Sequence, residues 1–364
     1  MVSVCLSCQV PKDHGLRRTG RRDGIVTWFA CSVGMKRAFR QSCQESLPGM
    51  RATSVARRGE SSRRQAPARD AEGFQIHNCD AFDWLCNALP CSIHAVVTDP
   101  PYGLVEYSDR ELTKLRTGRG GVWRIPPSFD GHQRSPLPRF TVLNDLDKEA
   151  LRHFFHRLAQ QLIRVLVPGG HVFIASNPLV SYYVYDPFIR SGFEKRGEVI
   201  RVVQTLRGGD RPKNAHDEFS QVSVMPRSCW EPWGLFRKPC EGRVQDNLRK
   251  WHTGGLRRRS ESEPFKDLIV ASPARGEERR LAPHPSLKPQ AFLRQIVRAA
   301  LPLAQGTVLD PFMGSGSTIA AALAVGYESI GLEQDRVYFE VAKRAIPSLA
   351  ALNTVDGLHN GQER

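Results

Sequence analysis

"VLDPFMGSGSTIAAALAVGYESIGLE", residues 308–333, reads as strand, glycine turn, helix and strand in quick succession. A short apolar run ends at Asp310, and Gly314 and Gly316 permit a tight turn in which the backbone can approach a ligand closely. Small residues then open a helix, and a second apolar run ends at Glu333. Such a unit aims backbone N–H groups and a helix N-terminus at a polar or anionic ligand. An acid at the end of the second strand can grip ribose hydroxyls. The dinucleotide fingerprint G-x-G-x-x-G is not completed, because Thr318 and Ile319 stand where its third glycine is due.

The same alternation extends outward. Downstream, "QDRVYFEVAKRAI" (334–346) has a helical pattern; upstream, "KPQAFLRQIVRAAL" (288–301) has another. From "FQIHNCDAF" (74–82) the chain runs through a strand, a short helix over "DAFDWLCNAL" (80–89) and the strand "IHAVVTD" (93–99). "LDKEALRHFFHRLAQQLIRVL" (146–166) sets Leu151, Phe154, Phe155, Leu158, Leu162 and Leu166 on one helical face. "VPGG" is expected to stop that helix before a buried strand "HVFIAS" (171–176), and "GEVIRVVQ" (197–204) is a further strand. Short apolar strands alternating with helices predict an α/β fold with a parallel sheet covered on both faces.

A second motif, "AVVTDPPYG" (95–103), leaves Asp99 at the carboxyl end of its strand, where open α/β sheets bind ligands. Pro100 and Pro101 stiffen the turn, and Tyr102 offers a flat face for stacking. A carboxylate, a fixed carbonyl and an aromatic ring suit a planar amino group on a ring. The alternative is a rigid Pro-Pro turn without a ligand.

"DPPYG" and "DPFMGSGST", with "HPSLKP" (284–289) before the glycine loop and "GLEQD" after it, resemble the amino-group DNA methyltransferases that use S-adenosylmethionine. The motif order, catalytic tetrapeptide ahead of glycine loop, is similar to their permuted β group. The resemblance covers about residues 74–350 and implies a Rossmann-like S-adenosylmethionine-dependent methyltransferase sheet, permuted, with an inserted basic DNA-recognition region. It also implies the site. Asp99, Pro100, Pro101 and Tyr102 would be catalytic. Asp80 would meet the cofactor adenine with Phe82 beside it, and Glu333 would hold the ribose. Asp310, Phe312, Gly314, Gly316, Ser317 and Thr318 would shape the pocket around the methionine part, and His284, Ser286 and Lys288 would lie near the cofactor's tail. Lys288 could instead simply begin its helix. No metal is implied. The base would be flipped out of double-stranded DNA. Asp at the head of the motif leans to adenine N6, with cytosine N4 as the alternative.

Charge separates the regions. Residues 1–70 hold 14 Lys and Arg against 5 Asp and Glu, residues 201–283 hold 17 against 11, and the remainder holds 21 of each. A neutral body with basic pieces points to a polyanionic partner. Residues 1–72, rich in Arg, Ser and Gly, read as a disordered basic tail, with Met35 or Met50 an alternative start. Residues 73–204 form the catalytic half, 205–283 a target-recognition insert, 284–350 the cofactor half and 351–364 a flexible end. Within the insert, Arg207, Arg211, Lys213, Arg249, Lys250, Trp251, Arg257 and Arg258 are candidate DNA contacts, and Trp230 and Trp233 can pack or wedge. The Gly/Pro-rich loop 103–143, carrying Arg119, Trp123 and Arg124, is a candidate lid.

Nine scattered cysteines do not make a disulfide framework, and Cys5 and Cys8 form a lone CxxC without zinc-site partners. No stretch reads as a membrane span or signal peptide, so the expected location is the cytoplasm, at the nucleoid. The resemblance leaves open a cognate restriction endonuclease and a homodimer. An NAD-dependent oxidoreductase would explain the glycine turn but leave "DPPYG" and "HPSLKP" without a role; the protein glutamine methyltransferases are a nearer rival, and an RNA methyltransferase is a more distant alternative.

Overall fold

In the computed structural model, the described residues are 73–101, 145–203, 211–212, 214–284 and 286–354. The basic tail 1–72, the loop 103–143 and the end from 355 lie outside them. Eight strands form one sheet: β1 (Phe74–Asn78), β2 (Ile93–Thr98), β3 (Leu166–Ala175), β4 (Glu194–Val202), β5 (Trp230–Arg237), β6 (Leu268–Val270), β7 (Thr307–Asp310) and β8 (Glu328–Glu333). Their order across the sheet is β1-β8-β7-β2-β3-β5-β4-β6. The first strand in the chain pairs with the last, Phe74 opposite Ser329 and Asn78 opposite Glu333. That pairing closes the permuted order, because it returns the chain's end to its beginning.

Two layers of helix cover the sheet. On one face lie α1 (Ala81–Asn87), α2 (Asp145–Val165) and α3 (Ser181–Arg190), packed on Ile93, Val96, Val172, Ile174 and Phe236. The predicted stripe on α2 is the buried one: Leu151, Phe155, Leu158 and Leu162 are inaccessible or nearly so. Each such side chain contributes about 1.5–3 kcal/mol through burial. On the other face α6 (Gln290–Ala300) packs Phe292, Leu293, Ile296 and Val297 against Ala95, Val97, Phe173 and Trp233. Beside it α7 (Ser317–Ala324) and α8 (Arg336–Ala350) share a third cluster that reaches Phe74 and Ile76 of β1. Two shorter helices, α4 (Val244–Trp251) and α5 (Glu277–Leu281), complete the described set. None of the described helices is long and apolar enough to cross a membrane.

The α/β, Rossmann-like fold is as expected, with three corrections. The sheet is mixed rather than parallel: β5 runs antiparallel to both β3 and β4. Residues 205–283 are not simply an insert, because they supply β5 near the middle of the sheet and β6 at its edge. Their isolated apolar runs hid this, since "WEPWGLFR" alternates with polar and helix-breaking residues. Finally, "VPGG" does not precede β3 but belongs to it. Proline is tolerated at a strand start, and a register irregularity between Ile93 and Ala95 absorbs the glycines. Gly169 (φ +77°) is required there, because a Cβ would fall 2.4 Å from Asn247 Nδ2 on α4.

The strand and helix of the glycine-loop unit are packed as tightly as their small residues suggest. A Cβ on Gly331 of β8 would lie 2.3 Å from Met313 Sδ and 2.8 Å from Ile319 Cγ1. Gly331→Ala is therefore expected to destabilise the fold by about 1–3 kcal/mol through overpacking. Urea titration measures this directly, and an unchanged midpoint would show that Met313 and Ile319 yield freely.

Candidate active site

The parallel strands β2 and β7 are neighbours, with Ala95 opposite Val308 and Val96 opposite Leu309, so their carboxyl ends emerge side by side. There the Thr98 hydroxyl donates to Asp310 Oδ1 at 2.7 Å. The same oxygen accepts the Phe312 N–H at 3.0 Å, which turns the chain into the glycine loop. Asp99, one residue beyond Thr98, thus meets the loop across one strand spacing. Together they line a cavity of about 380 Å³ that also takes in Asp80, Phe82, His284, Ser286, Lys288, Gly314, Ser317, Thr318 and Glu333. Cavities of this size hold small organic ligands.

Each part of the loop has a local cause. Gly314 (φ +53°) and Gly316 (φ +87°) occupy left-handed backbone that favours glycine. A Cβ on Gly316 would also lie 2.5 Å from Ile346 Cγ1 of α8. Glu333, at the end of β8, accepts the Gly314 N–H at 2.9 Å and the Asp335 N–H at 2.7 Å. Burial pushes its carboxyl above the usual glutamate range, against the pull of those N–H groups. Asp80 caps α1, accepting from Phe82 N at 2.8 Å and Asp83 N at 3.2 Å. Phe82, Phe154 and Phe312 form an aromatic wall, with centroids 5.4 and 5.9 Å apart. His284 accepts from Ser286 N through Nδ1 and meets the Tyr338 ring at 4.5 Å, edge to face.

Lys288 is not directed only at the cofactor region. Its ammonium lies 2.6 Å from Asp99 Oδ2 and 3.3 Å from Glu231 Oε1. Glu231 is in turn 2.9 Å from Arg201 and accepts from Trp233 Nε1 at 3.1 Å. Burial works against the Lys288 charge, but Asp99 and Glu231 outweigh it and hold its pKa above the ordinary lysine value. Burial likewise opposes the Glu231 charge, and Lys288 and Arg201 keep its carboxyl below the ordinary value.

Tyr102 lies outside the described residues, as do Arg119, Trp123, Arg124, Arg207 and Lys213. Arg211 is described and exposed. The remaining candidates in the basic region lie away from the cleft. Asn247 of α4 bonds the Pro168 carbonyl at the amino end of β3, so Arg249, Lys250 and Trp251 ride at the far end of the sheet. At about 3.3 Å per residue, the stretch of β3 from Pro168 to Ala175 separates them from the cleft by roughly 23 Å. Lys250 and Trp251 are also engaged by Glu241, each at 2.8–2.9 Å. Arg257 donates to the Tyr327 hydroxyl, just before β8, and the Arg258 carbonyl accepts from Arg298 on α6, so both lie at that same end. Trp233 is fully buried core. The sequence reading missed Glu231 and Arg201. The available signal was an arginine inside the apolar run "EVIRVV" and an acid inside "WEPW", each needing a buried partner.

The lining chemistry tests what the cleft can hold. Asp80, Asp99, Asp310, Glu333 and Asp335 face it, against Lys288 alone among lysines and arginines of the described lining. Glu333 also ties up the Gly314 N–H, which a phosphate would need. An acidic cleft with an aromatic wall fits a cationic nucleoside and opposes a pyrophosphate. S-adenosylmethionine, a sulfonium with an adenosine, fits on charge and on the aromatic wall; the two phosphates of a nicotinamide dinucleotide are opposed by the acids.

A model of the N6/N4 DNA methylase family matches residues 93–344, over two-thirds of the chain. The Type II methyltransferase M.MjaI of Methanocaldococcus jannaschii is 26% identical over 261 residues, 67% of this chain and 82% of that protein. M2.LlaDCHI of Lactococcus lactis subsp. cremoris, also a Type II methyltransferase, is 29% identical over 286 residues, 77% and 91% of the two chains. Among solved structures, an M1.HpyAVI–SAM complex aligns with a TM-score of 0.44 at 18% identity, over 75% of this chain and 99% of that one. PvuII DNA methyltransferase (cytosine-N4-specific) aligns at 0.48 and 13%, over 78% and 88%.

Within the matched region Asp310 is a strongly perturbed acid. Burial pushes its carboxyl up to about 6, although Thr318, Thr98 and the Phe312 N–H pull it down. An unfolded aspartate titrates near 3.9. The native state therefore binds the proton more tightly, and this contribution is complete below pH ~4 and lost as pH rises to ~6. Asp310→Asn cannot ionise, so it should gain on the wild type by up to about 3 kcal/mol between pH 4 and 7. Paired urea titrations across that range measure the gain; a constant difference would refute the assignment.

Proposed function

Because this chain belongs to the N6/N4 DNA methylase family, its reaction is methylation of an exocyclic base amino group from S-adenosylmethionine, and we propose that the base is adenine, methylated at N6. The observation that carries the chemistry is the juxtaposition of Asp99 with the glycine loop through the 2.7 Å Thr98–Asp310 bond. The choice of adenine is supported by Asp, rather than Ser, at the head of the tetrapeptide.

S-adenosylmethionine supplies an electrophilic methyl group on a sulfonium. Glu333 is placed at a strand end to take ribose hydroxyls with the lone pairs that the Gly314 and Asp335 N–H groups leave. Asp80 and the Phe82–Phe154–Phe312 wall would hold the adenine. Opposite them, the Asp99 carboxylate and Pro100 carbonyl accept the hydrogens of a flipped base's amino group, leaving its nitrogen lone pair directed into the cleft. Alignment and fixed charge supply the acceleration, with no covalent enzyme intermediate.

Duplex binding is assigned to the connections that leave the sheet on the cleft side. These are the segment after Asp99 and the one joining β4 to β5. In the latter, Arg211 and Arg227 are exposed or nearly so, and Phe219, Val222, Val224 and Met225 stand out into solvent. Cations there can meet phosphates, and apolar side chains can wedge at a base step.

The test is transfer of labelled methyl to unmethylated duplex DNA, followed by nucleoside analysis. N6-methyladenine is the expected product; N4-methylcytosine would overturn the choice of base. Asp99→Ala and Asp99→Asn should lower the rate by about 10²–10³-fold or more while the Kd for S-adenosylmethionine changes by less than about threefold. Parallel loss of cofactor binding would make Asp99 a structural residue.

A further inference from the structure

The acid of the catalytic tetrapeptide is held by a chain of alternating charges that begins three strands away. Arg201 and Glu231 stand directly opposite one another on β4 and β5, in register, with 2.9 Å between guanidinium and carboxylate. Arg201 is nearly inaccessible and also donates to the carbonyls of Ala271 and Ser272, at 3.3 and 3.1 Å. Glu231 takes the Trp233 indole N–H and the Lys288 ammonium, and Lys288 reaches Asp99. Its side chain is 13% exposed. Lys288 sits just before Pro289, the residue that starts α6, so its backbone is fixed as well.

We propose that Lys288 is a positioning residue for methyl transfer: Glu231 and Arg201 hold its ammonium, and the ammonium pins Asp99 through Oδ2 so that the carboxylate presents one fixed direction to the base's amino group. This rests on the amino-methylation reading above. It assigns Lys288 to the acceptor side of the cleft instead of the cofactor's tail. A carboxylate on a Pro-Pro turn has a stiff backbone but a rotatable side chain, and an aligned acceptor needs both fixed. Misplacement by an ångström costs about 10²-fold in rate. A lysine alone would be a poor clamp, since its stem has four rotatable bonds; the second carboxylate removes that freedom. The arrangement also solves the burial problem, because the four ionic groups alternate in sign and none is left uncompensated.

The experiment compares Lys288→Met, Lys288→Arg and Glu231→Gln with the wild type on unmethylated plasmid DNA, counting total methyl in DNA whatever the base. Single-turnover rate, Kd for S-adenosylmethionine, melting temperature and the pH–rate profile are measured for each. Lys288→Met should lose about 30–100-fold in rate with cofactor Kd within about threefold, and Lys288→Arg should recover most of the loss. Glu231→Gln should lose less, and nothing further once Lys288 is Met. Asp99 also faces Asp310 and His284, which all variants retain. Removing the positive charge beside the acceptor carboxylate should therefore move the acid limb of the pH–rate profile to higher pH. A merely structural lysine would leave that limb in place.

Loss of cofactor affinity in proportion to rate would overturn the proposal and return Lys288 to the cofactor's tail. So would an unchanged rate in Lys288→Met, or fully additive losses in the double variant. Should Lys288→Met fail to fold, Lys288→Arg and Glu231→Gln still carry the rate, pH and affinity readouts. A wild type that methylates DNA while Lys288→Met does so equally well defeats this inference alone; a wild type that methylates no DNA defeats the functional reading.

Discussion

The Thr98 hydroxyl and the Asp310 carboxylate meet at 2.7 Å across the carboxyl ends of β2 and β7, and the site is built on that contact. Over 200 residues of chain separate the two groups. Parallel pairing of their strands leaves the two chains turning away from the sheet at the same level. Asp310 has a second role in directing the Phe312 N–H, so the height of the glycine loop is set by the same carboxylate that receives Thr98. Substituting a hydrophobic residue there would leave a hydroxyl and an N–H without an acceptor in a dry site, each costing about 1–3 kcal/mol. Burying Asp310 is itself unfavourable, as its raised pKa shows. The fold tolerates the cost because these bonds fix where two otherwise independent motifs face each other.

The acids of the cleft follow a division of labour. Asp80, Asp310 and Glu333 each spend part of their hydrogen-bonding capacity on nearby backbone N–H groups. They are therefore rigid before any ligand arrives, and rigid acceptors lose little conformational entropy on binding. Asp99 is held in addition by an ion pair to Lys288, which lies outside its own turn. A charge held by a distant strand pair can be tuned without disturbing the cofactor loop. The two halves of the site are in this sense separately supported, the cofactor half by local turns and the acceptor half by β4 and β5.

Much of this was legible in the sequence because it is local. Strand β7, the glycine turn, α7 and β8 are specified by residues within one continuous stretch, and their period, small residues and turn glycines all agree. The amphipathic stripe of α2 was legible for the same reason. The mixed character of the sheet was not. β5 is marked by tryptophan and proline rather than by a run of branched residues, and its direction is decided by pairing with β3 and β4, which no local pattern encodes. The Arg201–Glu231 pair shares that fate: each residue is visible as an anomaly, but the register that joins them is tertiary. Arg249, Lys250 and Trp251 show what composition leaves open. Their composition suggested a DNA surface, yet composition carries no information on which end of the sheet a helix occupies, and Asn247 docks this helix at the amino end of β3.

The reversed strand has a consequence for the site. β4 runs in the same direction as β2 and β7, so the chain leaves it on the cleft side. Had β5 been parallel to β4, the connection between them would have had to return to the amino ends before the strand began. Because β5 is antiparallel, the chain re-enters the sheet where it left, and the connection from Val203 to Cys229 is closed at its base by the Val203 N–H to Cys229 carbonyl bond. Its base, from which the described residues with the exposed phenylalanine, valines and methionine emerge, is thereby on the side where Asp99 opens. The same antiparallel pairing puts Arg201 near the end of β4 opposite Glu231 near the start of β5, within reach of Lys288. One reversal of strand direction thus turns the β4–β5 connection toward the cleft and brings together the buried pair that we propose orders Asp99.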